Sequence, residues 1–425
     1  MKATVLKEEF LRGERDDLLR ELYLDEHMIP MQRERYAALL EKFAGMFGDG
    51  EVQLYSAPGR SEVGGNHTDH QHGKVLAASI NLDMIAAVRP RDDGKIVLQS
   101  GDYPKMELSV DELDPKPEEK GTSRGLIRGV MAGLNKLGYP SGGMEGCMTS
   151  NVLSGSGLSS SAAFEVLIGH IISGMYHDGK ISPVLIAQIA QISENVYFGK
   201  PCGLMDQMAC SVGGLITIDF EDVKKPSVRK ISTDFAEAGL SLCIVDTKGS
   251  HAGLTDEYAA IPNEMKAVAR ELGGTVLREV SEEALYEHLP ELRAKLGDRP
   301  VLRAIHFFEE EKRVDEEVAA LAAGDFARFL QVLLASGDSS YKYLQNVSVG
   351  RMPQEQSVAI GLAVSDLVLA GRGAHRVHGG GFAGTIQAFV PDEVTGDYKK
   401  AMDHVFGEDA CHVLKVRPDG GRRVI

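Results

Sequence analysis

No window of this 425-residue chain stays apolar for the length of a bilayer span, and its first residues, MKATVLKEEF, hold no apolar core of signal-peptide length. Both absences lead to the expectation of a cytoplasmic protein. Cysteine is scarce. Cys147, Cys202, Cys210, Cys243 and Cys411 are odd in number and scattered, with no C-x-x-C. That spacing fits free thiols in a reducing compartment better than a disulfide framework or a zinc site. Positive charge is short: 46 Lys and Arg against 62 Asp and Glu leave a formal charge of −16. Such a surface repels nucleic acid and anionic membrane, so neither is expected as a partner. Nothing in the chain points to an obligate protein partner. An anionic nucleotide stays admissible, because local amides and a few cations bind phosphate within an acidic protein. There is no internal repeat and no low-complexity tract.

What is present is ordinary soluble chemistry, 43% apolar and 25% charged, with a high count of 47 glycines. The length allows two domains. Residues 7–48 carry apolar positions at helical spacing, with Pro30 expected to separate two helices. Strands are expected at Val52–Ala57, Val75–Val88, Lys95–Gln99, Met106–Val110, Met144–Leu153, Gly214–Asp219, Leu240–Asp246, around Val377 and at Thr385–Val390. Helices are expected at Gly125–Leu137, Ser160–Met175, Ile181–Tyr197 and Gln354–Ala370, with a mostly helical stretch from about 256 to 334. Strands and helices do not simply alternate, so the expected class is α+β rather than a doubly wound parallel sheet.

Three glycine-rich segments carry the chemistry. In the second, a strand leads into Gly155-Ser156-Gly157-Leu158-Ser159-Ser160-Ser161 and then an apolar helix. This order places amides and hydroxyls at a helix N-terminus, where the dipole favours an anion. No Lys-[Ser/Thr] pair follows, which excludes a Walker A loop. A serine-capped helix after a tight turn is the plainer alternative. The third segment, Gly379–Gly384, matches G-x-G-x-x-G, but Thr385–Val390 after it reads as a strand, and a dinucleotide fingerprint must open a helix. A glycine turn between strands explains it as well. The first segment joins Arg60 to Asn66, His67, Asp69, His70 and His72. These side chains could ligate a metal, as in a metal-dependent hydrolase, but no distant Cys or His motif completes the set. Hydrogen bonding to vicinal hydroxyls suits them better. A fourth piece, Pro201-Cys202-Gly203-Leu204-Met205-Asp206-Gln207, holds an aspartate that alone would read as a helix cap. Beside the other three it becomes a carboxylate able to take the proton of an acceptor hydroxyl.

In this order the segments resemble the GHMP small-molecule kinases, and among them the galactokinase family, over about residues 50–390. APGRSEVGGNHTDHQHGKVL is similar to the family's sugar signature, GSGLSSSAAFEV to its phosphate loop, PCGLMDQ to the segment bearing its catalytic aspartate, and HGGGFAG to its third motif. The resemblance implies a two-domain fold: a ribosomal-protein-S5-like α/β domain (residues 1–215) and a ferredoxin-like α+β domain (residues 216–425), with the site between them. It implies ATP-dependent phosphorylation of a sugar at its anomeric hydroxyl, with Mg²⁺. Asp206 then matches the base and Arg60 its cationic neighbour. Asn66, His67, Asp69, Gly203 and Tyr258 match sugar-contacting positions, the last in Asp256-Glu257-Tyr258. The loop 155–161 matches the nucleotide contacts, and Ser161 and Glu194 match the metal-holding positions. The chain departs from the family's G-E-H-T-D-Y-N by placing Asn66 for the Glu that meets the sugar's 6-hydroxyl, and His70 for Tyr. Arg60 is followed by Ser61-Glu62, where the family often has Val-Asn. These departures leave open another galacto-configured sugar such as galacturonate. A non-catalytic sugar sensor is a further alternative, although Ser159–Ala163 and Asp206 are intact.

Overall fold

The computed structural model describes residues 1–153, 157–250 and 253–425. Three helices come first: α1 (Ala3–Leu11), α2 (Asp16–Tyr23) and α3 (Ile29–Phe47). Pro30 does not lie between two helices as expected. It sits in the first turn of α3, where its missing N–H costs nothing. Then follow β1 (Gln53–Gly64), β2 (Lys74–Arg91), β3 (Lys95–Ser100), β4 (Met106–Ser109), α4 (Ser123–Lys136), β5 (Gly143–Ser150), α5 (Ser160–Tyr176), α6 (Pro183–Ile192), α7 (Met205–Val212), β6 (Leu215–Asp219) and β7 (Ser227–Ile231). The second half runs β8 (Leu240–Asp246), α8 (Thr255–Glu271), α9 (Glu282–Glu287), α10 (Leu289–Leu296), α11 (Asp298–Ala322), α12 (Phe326–Ser339), α13 (Ser357–Leu369), β9 (Ala374–Val377), β10 (Thr385–Pro391), α14 (Asp392–Phe406), β11 (Cys411–Leu414) and β12 (Arg422–Arg423).

The first sheet is ordered β12-β1-β2-β5-β3-β4, with β6 also on β2 and β7 on β6. Its centre is the β1–β2 hairpin. The long β2 pairs with β6 through Lys74–Ala78 and with β5 through Met84–Arg91. Among the described pairs, β3 with β5 is the one that is parallel. β2 reads as a nearly continuous apolar run because both of its faces are covered. Ile85 and Ala87 point into a core shared with α1–α3, whereas Met84, Ala86 and Val88 point into the core under α4 and α5. The sheet continues past residue 215 to Ile231 and takes back the C-terminal tail, where Tyr55 faces Arg423 and Ile80 bridges Val416.

The second sheet, β11-β8-β10-β9, is fully antiparallel. One face packs on α13 and α14 through Val245, Ile386, Ala388 and Tyr398, while Leu242, Ile244 and Phe389 join the main core with Phe329 of α12. Helices α8 to α11 form a third packed group around Ile261, Met265 and Phe307.

Several boundaries differ from expectation for local reasons. The strand expected to stop at Ala57 continues to Gly64, because Pro58 falls at an irregularity between Pro58 and Arg60 in the pairing with β2. The helix expected over Ile181–Tyr197 ends at Ile192 and gives way to a π-helical turn, Ser193–Phe198, which carries Glu194. Strands β7, β11 and β12 and helices α7 and α14 had no counterpart in the expectations.

Candidate functional site

A cavity of about 640 Å³ opens where the hairpin turn after β1, the segment before α7, the start of α8 and the glycine turn before β10 converge. It is lined by Arg60, His67, Asp69, Gly157, Gly203, Asp206 and Tyr258, which the structure brings together with Glu62, Lys200 and Gly380. Each of the three glycine-rich segments holds a left-handed backbone at a residue other than glycine: His67 and His72 (φ 61° each), Ser159 (φ 59°) and Phe382 (φ 61°). Such positions persist only where the surroundings enforce them, and they cluster at binding sites.

Asp206 stands in the first turn of α7, where the helix dipole favours a carboxylate. Arg60 Nε donates to Asp206 Oδ1 at 2.7 Å, and Ser159 Oγ donates to Oδ2. Burial by itself would raise the Asp206 pKa. The Arg60 charge and the hydrogen bonds from Arg60 and Ser159 outweigh it and hold the carboxyl below the usual range. Arg60 Nη1 also donates to the Gly157 carbonyl, and Arg60 N to the Leu158 carbonyl at 3.2 Å. One arginine thus ties the base to the second motif.

The second motif lies partly within view. Gly155 and Ser156 fall outside the described residues. Gly157 has φ 70°, and a Cβ there would stand 3.3 Å from His378 and Thr385 side chains. Leu158 is fully buried in the main core, so its side chain anchors the loop. Ser160 and Ser161 open α5. Ser161 Oγ donates to Glu194 Oε1 at 3.1 Å, and Lys200 Nζ lies 3.2 Å from that same oxygen. The other Glu194 oxygen accepts from Gln207 Nε2 at 2.7 Å. A hydroxyl and a carboxylate side by side suit Mg²⁺, which takes oxygen ligands, usually one or two carboxylates plus phosphate oxygens. Among the described residues no three His, Cys, Asp or Glu side chains come together as a protein-built metal centre would require.

At the other end of the cavity, burial pushes the His67 pKa down to about 3, with the neighbouring His70 acting in the same direction, so the ring is neutral. Its Nε2 bonds the Gly380 carbonyl at 3.1 Å. Tyr258 OH donates to the Gly381 carbonyl at 2.9 Å, and the Tyr258 ring lies against Gly380, where a Cβ would sit 2.7 Å from Cε1. A side chain at Gly203 would displace the Asp69 carboxylate, because its Cβ would fall 2.1 Å from Oδ2.

Asn66 does not line the cavity, contrary to expectation. It is 0% exposed. Its Nδ2 donates to Glu62 Oε1 and to the Gly379 carbonyl, each at 2.8 Å, and its Oδ1 accepts from Asn346 at 2.8 Å. Both N–H bonds are committed inside the protein, so Asn66 braces the site from behind. Glu62 takes the place at the cavity wall. Sequence reasoning noted Glu62 only as a departure from the family pattern and passed over Lys200. It also passed over His378, which bonds Thr385 Oγ1 at 2.9 Å and Ser61 Oγ at 3.2 Å. Glu310 of α11 was missed too. It accepts from the Gly65 and Asn66 amides at 3.2 and 3.3 Å and so fixes the hairpin turn.

The galactokinase galactose-binding signature matches residues 41–90, and the GHMP kinases N terminal domain matches residues 125–214. A galactokinase of Streptomyces coelicolor is 32% identical over 393 residues, covering 90% of this chain and 97% of its own. One of Actinobacillus pleuropneumoniae is 32% identical, covering 83% of this chain and 89% of its own. The crystal structure of Lactococcus lactis galactokinase complexed with galactose superposes with a TM-score of 0.76 at 25% identity, over 90% of this chain and 98% of that one. A Methanococcus jannaschii mevalonate kinase shares the fold, with a TM-score of 0.61 at 17% identity over 86% and 99% of the two chains.

Proposed function

From the premise that this chain belongs to the galactokinase family of the GHMP kinases, phosphotransferases that act on a sugar hydroxyl, we propose that it phosphorylates galactose at the anomeric hydroxyl. The phosphoryl donor is ATP, and the products are α-galactose 1-phosphate and ADP. Asp206 accepts the proton of the C1 hydroxyl as its oxygen bonds to the γ-phosphorus and the bond from that phosphorus to the β-phosphate oxygen breaks.

The observation that carries this reading is the Arg60–Asp206–Ser159 constellation at the cavity wall. Arg60 and Ser159 keep Asp206 ionised, and so ready to receive a proton, across the neutral range. A carboxylate of lowered pKa is a weak base. That suits phosphoryl transfer through a loose transition state, in which bonding to the nucleophile is slight and catalysis lies mostly in positioning and charge. The α5 N-terminus and Lys200 supply positive potential for phosphate oxygens. Ser161 and Glu194 would hold Mg²⁺, which when bound neutralises phosphate charge. The N–H of Gly157 belongs to the same loop, and the neutral His67 and Asp69 offer partners to sugar hydroxyls.

A galacturonate kinase is the reading that the departures at positions 66 and 70 favour. The carboxyl of Glu62 on the cavity wall weighs against an acidic sugar. The test is a coupled ADP-release assay with galactose, galacturonate, N-acetylgalactosamine and glucose, with and without a chelator. Chelator-sensitive turnover with galactose highest is the expected result. Galacturonate ahead of galactose by tenfold or more would transfer the assignment to that sugar, and no turnover would favour a sensor.

A further inference from the structure

Glu62 is 5% exposed and still reaches the cavity. Its carboxylate is used on one side only. Asn66 Nδ2 and Arg376 Nη2 both donate to Oε1, each at 2.8 Å. No described residue donates to Oε2. Oε2 is not among the fully enclosed polar atoms, so it opens on the cavity and is free to meet a ligand hydroxyl there. The side chain is also held still from every direction. The Glu62 amide donates to His378 Nε2 at 3.3 Å, and its carbonyl accepts from Gln387 Nε2 at 2.9 Å. Arg376, fully buried, anchors itself on the Val63 carbonyl at 2.7 Å. A fixed acceptor on a rigid strand is the arrangement that discriminates between hydroxyl patterns.

We infer that Glu62 selects the acceptor sugar by taking a hydrogen bond, on Oε2, from a ring or side-chain hydroxyl remote from the reacting one. The inference rests on the sugar-kinase reading above. The position supports it. Glu62 lies two residues beyond Arg60 on β1, on the same face of the strand and about 7 Å along it. With the reacting hydroxyl at the Arg60–Asp206 pair, one pyranose ring spans that interval. Asn66 and Arg376 are then positioning residues: they hold Oε1 and leave Oε2 aimed at the sugar.

The experiment is a cycle between protein and substrate. kcat/KM is measured for galactose and its 2-, 3-, 4- and 6-deoxy analogues on the wild type, Glu62→Gln and Glu62→Ala. Glu62→Gln should lose about tenfold or more on galactose, the size of a hydrogen bond to a charged acceptor. It should lose as much on every analogue except one, where the wild type already carries the loss and the substitution adds little. Ratios within one variant do not depend on its folded fraction, so a destabilised preparation still decides the question. An equal loss on all five sugars would reduce Glu62 to a structural partner of Arg376 and overturn the inference, as would no loss at all. Were the wild type to turn over none of these sugars, the kinase reading would fall by itself. The same cycle on sugar affinities by calorimetry would still decide Glu62, and absence of any binding would sink both.

Discussion

Two aspartates held by arginine and serine, one on β2 and one in the first turn of α7, do opposite jobs. Asp83 of β2 accepts from Arg35 at 2.6 Å, from Tyr23 at 2.9 Å, from Arg417 at 3.2 Å and from Ser56, and it is fully enclosed. Asp206 likewise has an arginine and a serine, but it lines a cavity. In both, burial pushes the pKa up and arginine charge more than compensates, so both carboxyls lie below their usual range. A lowered pKa therefore does not distinguish a functional carboxylate from a structural one. The partners do. Those of Asp83 come from α2, α3, β1 and the C-terminal tail, so the cluster rivets both chain ends to the first sheet. Those of Asp206 come from two motifs on one cavity wall, and the cavity is open on its remaining side.

The sharpest test of this contrast exchanges each aspartate for asparagine. Asp206→Asn should retain the fold and sugar binding while kcat falls by about 10²–10⁴-fold, the usual contribution of a general base. Single-turnover kinetics with calorimetric sugar binding measures it, and a wild-type rate across the pH range would remove Asp206 from the mechanism. Asp83→Asn should do the reverse. It leaves two buried guanidiniums under-compensated, at a cost of about 3–5 kcal/mol, with kcat per folded molecule unchanged. Denaturant titration reads the loss. Since the folded-state pKa of Asp83 is lowered, its contribution is complete above the unfolded value near 4 and drains away as pH falls through the folded one. Wild-type and variant stabilities should therefore converge in acid.

Gly203→Ala makes a smaller, more local break. Its Cβ would meet Asp69 Oδ2, so the sugar end should be displaced while the nucleotide end is left alone. A rise in galactose KM on the order of tenfold, with ATP affinity unchanged, is expected from an overpacking cost of about 1–3 kcal/mol. Equal damage to both affinities would mean that the two ends move as one body.

A third carboxyl sharpens the comparison from the other side. Glu317 of α11 is fully buried against Gly64, and neither of its oxygens has a hydrogen-bond partner among the described residues. Burial, with the Glu310 charge adding to it, drives its pKa well above normal, so it is protonated where the unfolded chain is ionised. For a raised acid the unfolded state binds fewer protons, and stability falls as pH rises above about 4, by up to about 1.4 kcal/mol per pH unit. Glu317→Gln should flatten that slope and gain stability near pH 8. An unchanged slope would place the proton elsewhere.

Much of the site was legible locally. The strand and the helix around the second motif follow from apolar spacing, and the structure forms them as β5 and α5, although Ser159 at the helix start caps no amide and bonds Asp206 instead. Asp206 was legible only through its neighbours' resemblance to a family, because a single aspartate at a helix start is usually a cap. Asn66 was expected at the cavity and lies behind it, whereas Glu62, which had been given no role, lines it. Both lie in one short glycine-rich stretch, and which side chain faces solvent there depends on irregular pairing between Glu62 and Gly64 and on a turn braced by Glu310. No periodicity survives such an interruption. The short strands β7, β11 and β12 escaped for a related reason: their pairing partners, not their own composition, make them strands.

By itself the sequence determined the local elements, the mixed class, the anion-ready helix start and the inventory of groups able to touch a phosphate and a sugar. These depend on backbone sterics, dipoles and side-chain chemistry within a few residues. Only the tertiary structure decided which groups meet. Arg60 reaches Asp206 across 146 positions, Arg376 reaches Glu62 across 314, and Arg417 reaches Asp83 across 334. A charge buried from water must find its partner wherever the packing brings one, and packing is a property of the whole chain.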